Sequence, residues 1–253
     1  MVNLIRNGGP LTIRDIDDDV LADKVHPWAS RKPSKRALQL AFYTGQVTVS
    51  ARSGMLKTYE LMDRHFGWTM RPKAAPEKET VAYLLDRALR AQGVVSLESA
   101  CYQDAKRKPA LRKLIETRMR RNALVPVALG GADKVEHWAQ PEILDLRVDR
   151  AEELTHVLSP FDPLVIQRKR LKLFFDYEHR FEAYVPKEKR VFGYFTTPVL
   201  VGDEIAAVID LKTDREKRKL LVPKWTWVGR GSARAHKRRI EEELHRFERF
   251  QLA

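Results

Sequence analysis

The sequence contains little of what many enzymes and membrane proteins depend on. Its 253 residues include one cysteine, Cys101, which excludes an internal disulfide and a cysteine-cluster metal site. A lone cysteine predicts a buried small side chain in a reducing compartment. No apolar run approaches the roughly 18 residues that a membrane span needs, and residues 1–10 lack the apolar core of a secretory signal. We therefore expect no membrane partner.

Residue patterns that hold metals, nucleotides or nucleophiles are also missing. The histidines are scattered without a close pair of ligands, and no serine or cysteine stands in a nucleophile elbow. The double glycines Gly8-Gly9 and Gly130-Gly131 are turn pairs rather than phosphate-binding loops. We expect no metal and no cofactor.

Positive charge is abundant. The formal net charge is +13, and such an excess favours a polyanionic partner, chiefly nucleic acid. The alternative is a basic protein whose charges only face solvent.

The first half of the chain predicts the same set of elements twice. Residues 1–66 show short helices, a helix at residues 33–43, and an alternating hairpin that turns at Ser53-Gly54. A linker with two prolines follows at 67–78. Residues 79–142 repeat the helices and a hairpin. This repeat predicts two winged helix-turn-helix units.

The second half reads mostly as strand. Pro160 and Pro163 bracket a rigid turn that holds Asp162, and the turn leads into a basic helix. Four or five strand-like segments with short turns then predict a small β-barrel over 143–229. A helix, capped by Ser232, closes the chain at 230–253. The expected fold class is α+β.

Basic residues cluster where a winged helix would meet DNA. They stand at the start of the helix that precedes the hairpin in each repeat, beside the first hairpin turn, and in a loop between two later strands. We predict DNA contacts at Arg31, Lys32, Lys35, Arg36, Arg52, Lys57, Arg107, Lys108, Arg112, Lys212 and Arg215. A solvated helix face, a solvated hairpin or a charged sheet edge is the alternative for each cluster.

Asp162, Arg168 and Arg170 are candidate residues of a DNA channel, because a corner holds the acid beside the two cations. The alternative for Asp162 is a cap for the following helix.

Many residues of the second half match, in the same order along the chain, the motifs of a known protein family. They are Leu158-Ser159-Pro160-Phe161-Asp162-Pro163-Leu164, Arg168, Arg170, Tyr177, Arg180-Phe181-Glu182, Tyr184-Val185-Pro186, Lys189-Arg190, Gly193-Tyr194, Pro198-Val199-Leu200, Gly202-Asp203, Asp210-Leu211-Lys212 and Asp214-Arg215. This run resembles the bacterial crosslink-repair DNA glycosylases, the AlkZ and YcaQ-like family. Upstream, Gly9-Pro10-Leu11 and Lys35-Arg36-Ala37-Leu38 are similar to the middle winged helix of that family.

The resemblance implies tandem winged helices and a small β-barrel around a basic channel for DNA. It also implies hydrolysis of the N-glycosidic bond of bulky N-alkylated purines, including crosslinks. In the family, a Gln-aliphatic-Gln or Gln-aliphatic-Asp motif in a first winged helix positions the attacking water.

The resemblance begins at the family's second winged helix, so we expect an N-terminally truncated chain without the catalytic unit. Gln39-Leu40-Ala41 and Gln46-Val47-Thr48 differ from the motif in their third residue. Ile166 and Gln167 stand where the resemblance implies an aromatic and an acidic residue. We therefore assign no catalytic residue.

The leading hypothesis is a DNA-binding protein of this family. We expect a monomer that binds double-stranded DNA, alkylated or crosslinked, in the cytoplasm at the nucleoid. The first alternative is a non-enzymatic winged-helix DNA-binding protein or regulator. The second is a protein-interaction module whose charge serves solubility.

Overall fold

The computed structural model confirms the α+β class, with helices packed on small antiparallel sheets. The chain divides into two compact units, Met1–Ala74 and Ala75–Ala253, called here the first and second unit. The finer division into five segments stays a prediction. The predicted cap Ser232 lies outside the residues that the structure describes, which are 1–16, 20–26, 29–132, 134–146, 154–230 and 233–253.

The first unit packs helices on a small three-stranded sheet. Its elements are α1 (Val2–Gly8), β1 (Leu11–Thr12), a 3₁₀ turn (Ile13–Asp15), α2 (Pro33–Tyr43), β2 (Val47–Ser53), β3 (Leu56–Leu61) and α3 (Met62–Phe66). The strands lie in the order β1-β3-β2. Leu38 and Ala41 of α2 pack against Ile5 and Val47 in the core. The predicted hairpin is confirmed, and Gly54 supplies the positive φ of its turn.

The helical part of the second unit has a second small sheet. Its elements are α4 (Glu77–Gln92), β4 (Val94–Ser96), α5 (Leu97–Ala100), α6 (Lys108–Arg120), β5 (Val125–Val127), β6 (His137–Ala139) and α7 (Pro141–Leu144). The strands lie in the order β4-β6-β5. Leu85, Leu111 and Ile115 are fully buried in its core, together with Cys101, as predicted for that side chain.

Both sheets are built by the same order of elements. Each has a helix, a strand, a short helical turn, a longer helix and a hairpin, and each inserts its last strand between the other two. The repeat was visible in the sequence, but β1 and β4 were missed. They span two and three residues, too few to show the alternation that marks a strand.

The remaining part of the second unit is an open sheet covered by helices. Its elements are β7 (Thr155–Val157), α8 (Pro163–Ile166), α9 (Arg168–Phe175), β8 (Thr196–Val201), β9 (Glu204–Asp214), β10 (Lys219–Trp227) and α10 (Ala233–Leu252). The strand order is β10-β9-β8-β7. In place of the one basic helix predicted after the turn, the chain forms α8 and α9, divided at Gln167, whose ψ of 69° leaves the helical region.

The prediction of a β-barrel was wrong, because in the described residues no sheet closes on itself. Ile240 and Leu244 of α10 pack on one face of the sheet with Val199 and Ile209. The helix thus buries the apolar face that would line the interior of a closed barrel. The segment 180–185 alternates like a strand in the sequence but has no ladder partner in the described chain.

Candidate nucleic-acid interface

The first predicted cluster lies at the start of α2. Lys32 is the residue before the helix, and Pro33 begins it with the fixed φ that suits this position. The side chains of Arg31, Lys32, Lys35 and Arg36 are exposed. Among the described residues, no carboxylate forms an ion pair with any of these four. Their charge is therefore available to a phosphate.

Arg52 and Lys57 stand opposite each other on the first hairpin. They are register partners in the β2–β3 pair, and both side chains are exposed. Two like charges held at one point of a ladder repel each other modestly. An anion between them would relieve that repulsion.

The second predicted cluster, at the start of α6, is neutralised within the protein. Arg107 pairs with Asp104 and, at 3.0 Å, with Glu77, and these two carboxylates raise the pKa of its guanidinium. Lys108 pairs with Glu98.

One turn further along α6, Arg112 pairs with Glu136 at 2.9 Å. Each of these cations must exchange a carboxylate for a phosphate before it can contact DNA. The second cluster is thus a weaker anion site than its sequence indicates.

Lys212 and Arg215 lie near the turn between β9 and β10. Lys212 is exposed within β9, and Arg215 is exposed just after it. Asp214 accepts the N–H of Lys217 at 3.0 Å and so shapes the turn. The two cations have no ion-pair partner in the part of the chain that the structure describes.

Asp162 caps α8, which is the alternative role that its position in the sequence left open. Its Oδ1 accepts the N–H of Leu164 at 2.8 Å, and Ser159 Oγ accepts the N–H of Phe161 at 3.2 Å. These two side chains fix the turn between Pro160 and Pro163. Arg168 nearby is exposed.

Arg170 is committed to the fold. Its Nη2 donates to the carbonyl oxygens of Gln92 at 3.2 Å and Val94 at 3.1 Å, and its guanidinium lies 4.3 Å from the centre of the Phe174 ring. Burial lowers the pKa of this guanidinium. Because Gln92 ends α4, the positive charge of Arg170 also interacts favourably with the negative end of the helix dipole. Of the three candidate channel residues, Arg168 has the most accessible charge.

Four aromatic rings from three segments of the chain meet beside the turn. Phe181 is the centre, with ring centroids 5.4 Å from Phe161, 5.8 Å from Tyr184 and 5.7 Å from Phe195. Phe161 is 59% exposed and Tyr184 is 73% exposed. We call these four residues the aromatic patch. In the sequence, Phe161, Phe181 and Tyr184 carry only the family resemblance and Phe195 does not stand out, although aromatic and basic residues are both frequent between 180 and 195.

Two carboxylates hold the loop that leads into the patch. Glu182 accepts the N–H groups of Val191 at 3.0 Å, Phe192 at 2.7 Å and Gly193 at 3.3 Å. Burial alone would raise the pKa of Glu182, but these three bonds and Arg180 outweigh it and lower the pKa.

Asp210 of β9 continues the same loop. It accepts the N–H groups of Tyr194 at 2.9 Å and Phe195 at 3.1 Å. Gly193 has a φ of 146°, and a Cβ there would overlap the Asp210 side chain. Five consecutive N–H groups are thus fixed by two side chains that lie 9 to 16 positions away in the sequence.

Tyr177 and His179 form a buried polar pair, with 3.4 Å between the tyrosine oxygen and Nδ1. Burial raises the pKa of Tyr177 to about 12, helped by Glu182. Burial, with Arg168 nearby, lowers the pKa of His179 to about 4. The ring therefore stays neutral at physiological pH, and its Nε2 has no hydrogen-bond partner among the described residues.

The described residues hold no cluster of three His, Cys, Asp or Glu side chains that could bind a metal. Nor does any helix within the described ranges have the length and apolar character to cross a membrane. None of the seven glutamines of the sequence is followed two positions later by glutamine or aspartate.

Comparison with known proteins supplies the family. The family model described as DNA glycosylase AlkZ-like matches residues 1–250, which is nearly the whole chain. No solved structure matches it. The match agrees with the resemblance carried by the motifs between Leu158 and Arg215. The chain therefore belongs to the AlkZ-like DNA glycosylase family.

Proposed function

We propose that this chain binds double-stranded DNA through its phosphates, in a family whose activity is hydrolysis of the N-glycosidic bonds of bulky N-alkylated purines, including crosslinks. The family match over residues 1–250 carries the proposal. The net charge of +13 supports it, because such a charge attracts a polyanion along its length. The proposed state is a monomer, and the proposed location is the nucleoid.

The repeated order of elements supports two winged helix-turn-helix units, at 1–66 and 79–142, joined by a linker at 67–78. In such units, the helix before the hairpin approaches the major groove. α2 and α6 hold that position in the two repeats. We assign the stronger phosphate contacts to α2, since no carboxylate of the described residues forms an ion pair with its cations.

The absence of a Gln-aliphatic-Gln or Gln-aliphatic-Asp segment from the sequence supports DNA binding without base excision by this chain. It also supports the second candidate function, a non-enzymatic DNA-binding regulator. The two candidate functions differ in sequence preference. Binding through phosphates alone gives no sequence preference, whereas a regulator needs contacts with base edges.

Binding of the full chain to duplex DNA at several salt concentrations tests the proposal. The logarithm of the binding constant should fall linearly with the logarithm of salt, by about 0.9 for each neutralised phosphate. The double variant Lys35→Ala/Arg36→Ala should lower that slope by about 1 to 2 equally on unrelated sequences. Lys73→Ala, an exposed cation of the same unit, is the matched control.

Three outcomes would change this proposal. A tight sequence-specific footprint would favour the regulator. Failure to bind any DNA would refute both functions. Release of N7-alkylguanine above a buffer control would show that the chain contains catalytic residues other than the family motif.

A further inference from the structure

The four residues of the aromatic patch carry no positive charge, so the proposed phosphate contacts do not explain why these rings are packed together at the surface. A monomer rarely leaves packed aromatic rings exposed unless they meet a partner. Phe181 is half buried and anchors the other three, while Phe161 and Tyr184 keep more than half of their surface open. Rings exposed to that extent retain surface that a flat ligand can cover.

Side-chain hydrogen bonds fix the backbone that carries two of the four rings. Phe161 stands on the turn fixed by Ser159 and Asp162. Phe195 ends the loop whose five N–H groups are bound by Glu182 and Asp210. Stacking on a rigid surface orders few side chains, so little of the interaction is lost to entropy.

The segment that carries the patch is basic. Between residues 180 and 195 it has four cations, Arg180, Lys187, Lys189 and Arg190, against Glu188 and the buried Glu182. The guanidinium of Arg190 lies 4.9 Å from the centre of the Tyr194 ring, and Tyr194 is 55% exposed. Exposed aromatic rings beside positive charge fit a ligand with flat bases and an anionic backbone.

We propose that the aromatic patch binds unpaired bases of DNA, so that the protein holds single-stranded or locally opened DNA as well as duplex. In a duplex each base is covered by its neighbours, and an outside ring reaches its face only after the base unstacks. Bases of any identity can stack, so the patch confers a preference for strand state and not for sequence. This inference rests on the proposed function, because it takes DNA as the ligand.

The test compares three labelled DNAs by fluorescence anisotropy with the full chain. They are an oligothymidine strand, a strand of equal length with abasic spacers in place of the bases, and a duplex. Charge is the same in the first two, so a difference between them reports stacking. We expect the thymidine strand to bind roughly 5- to 150-fold more tightly than the spacer strand if one base stacks.

Variants then locate the effect. Tyr184→Ala and Phe161→Ala should each reduce the preference for thymidine over spacer, and Tyr184→Phe should retain it. Both positions are largely exposed, so the variants are expected to fold. Tyr83→Ala is the matched control, since Tyr83 is 59% exposed on α4 of the same unit. It should bind all three DNAs like the unmodified protein.

The unmodified protein alone can overturn the inference, whatever the variants do. If the thymidine and spacer strands bind equally and the duplex still binds, the patch does not stack on bases, and the proposed function is unaffected. Failure to bind any of the three DNAs refutes both. A base preference that survives Tyr184→Ala combined with Phe161→Ala refutes the assignment to this surface.

Discussion

Replacing Glu182 by glutamine tests whether one buried carboxylate holds the loop at Val191–Gly193. The side chain is 5% exposed, and its two oxygens accept three backbone N–H groups. A glutamine amide has one oxygen and one NH₂ group, so in either orientation at least one N–H would face a donor. An orphaned buried donor costs about 1–3 kcal/mol, and the bonds that remain lose the strength that the charge gave them.

We therefore expect Glu182→Gln to destabilise the second unit by about 3 kcal/mol, or about 6–12 °C in Tm for a unit of this size. The variant should also show faster amide exchange at Val191, Phe192 and Gly193, which is a local measure of loop opening. Glu188→Gln, exposed on the same segment, should change neither quantity. A Glu182→Gln protein as stable as the Glu188→Gln protein would refute the reasoning.

The pH dependence supplies a second readout for the same variant. Because the folded pKa of Glu182 lies below its ordinary 4.5, its contribution to stability is fully present above that value. The contribution is lost as the pH falls through the lowered folded pKa. The difference in unfolding free energy between the unmodified protein and Glu182→Gln should therefore shrink in acid. A difference that stays constant there would contradict the role of the ionised carboxylate.

Two further predictions concern buried groups. Arg170→Ala should destabilise the second unit by about 2–3 kcal/mol in urea unfolding, because the carbonyls of Gln92 and Val94 lose their donor; the exposed Lys169→Ala is the control, and equal stability of the two would contradict the bond. The His179 ring should titrate near a pKa of about 4 by NMR, and its contribution to stability should be lost as the pH falls from 6.5 towards that value. A ring that titrates near 6.5 would show that it is not buried.

Local patterns in the sequence predicted the elements that depend on neighbouring residues. The turn at Gly54 needs a positive φ, which glycine adopts without strain, and the start of α2 needs the φ that Pro33 supplies. The repeat of elements is also visible in the sequence, because each of the two repeats contains its own turn and cap residues. The strands β1 and β4 escaped because they are shorter than the pattern that identifies a strand.

Long-range contacts explain what the sequence did not reveal. Nothing in the sequence near Phe161 indicates that Phe181 and Phe195 will meet it, or that Glu182 binds the loop after Arg190. The ion pairs of Arg107 and Arg112 likewise join residues 30 and 24 positions apart, so a cluster that looked available was neutralised. The prediction of a β-barrel was wrong because the number of strands does not reveal whether the sheet closes or is covered by a helix, as α10 covers it here.

The tight fit between Gly193 and Asp210 limits how this protein can change. A side chain at Gly193 would meet a carboxylate that is already bound to two N–H groups, so it cannot simply move aside. A shorter residue at position 210 would make space but release Tyr194 and Phe195. The two positions should therefore be evolutionarily coupled: relatives that lose the glycine should also lose the aspartate, and with it the fixed approach to the aromatic patch.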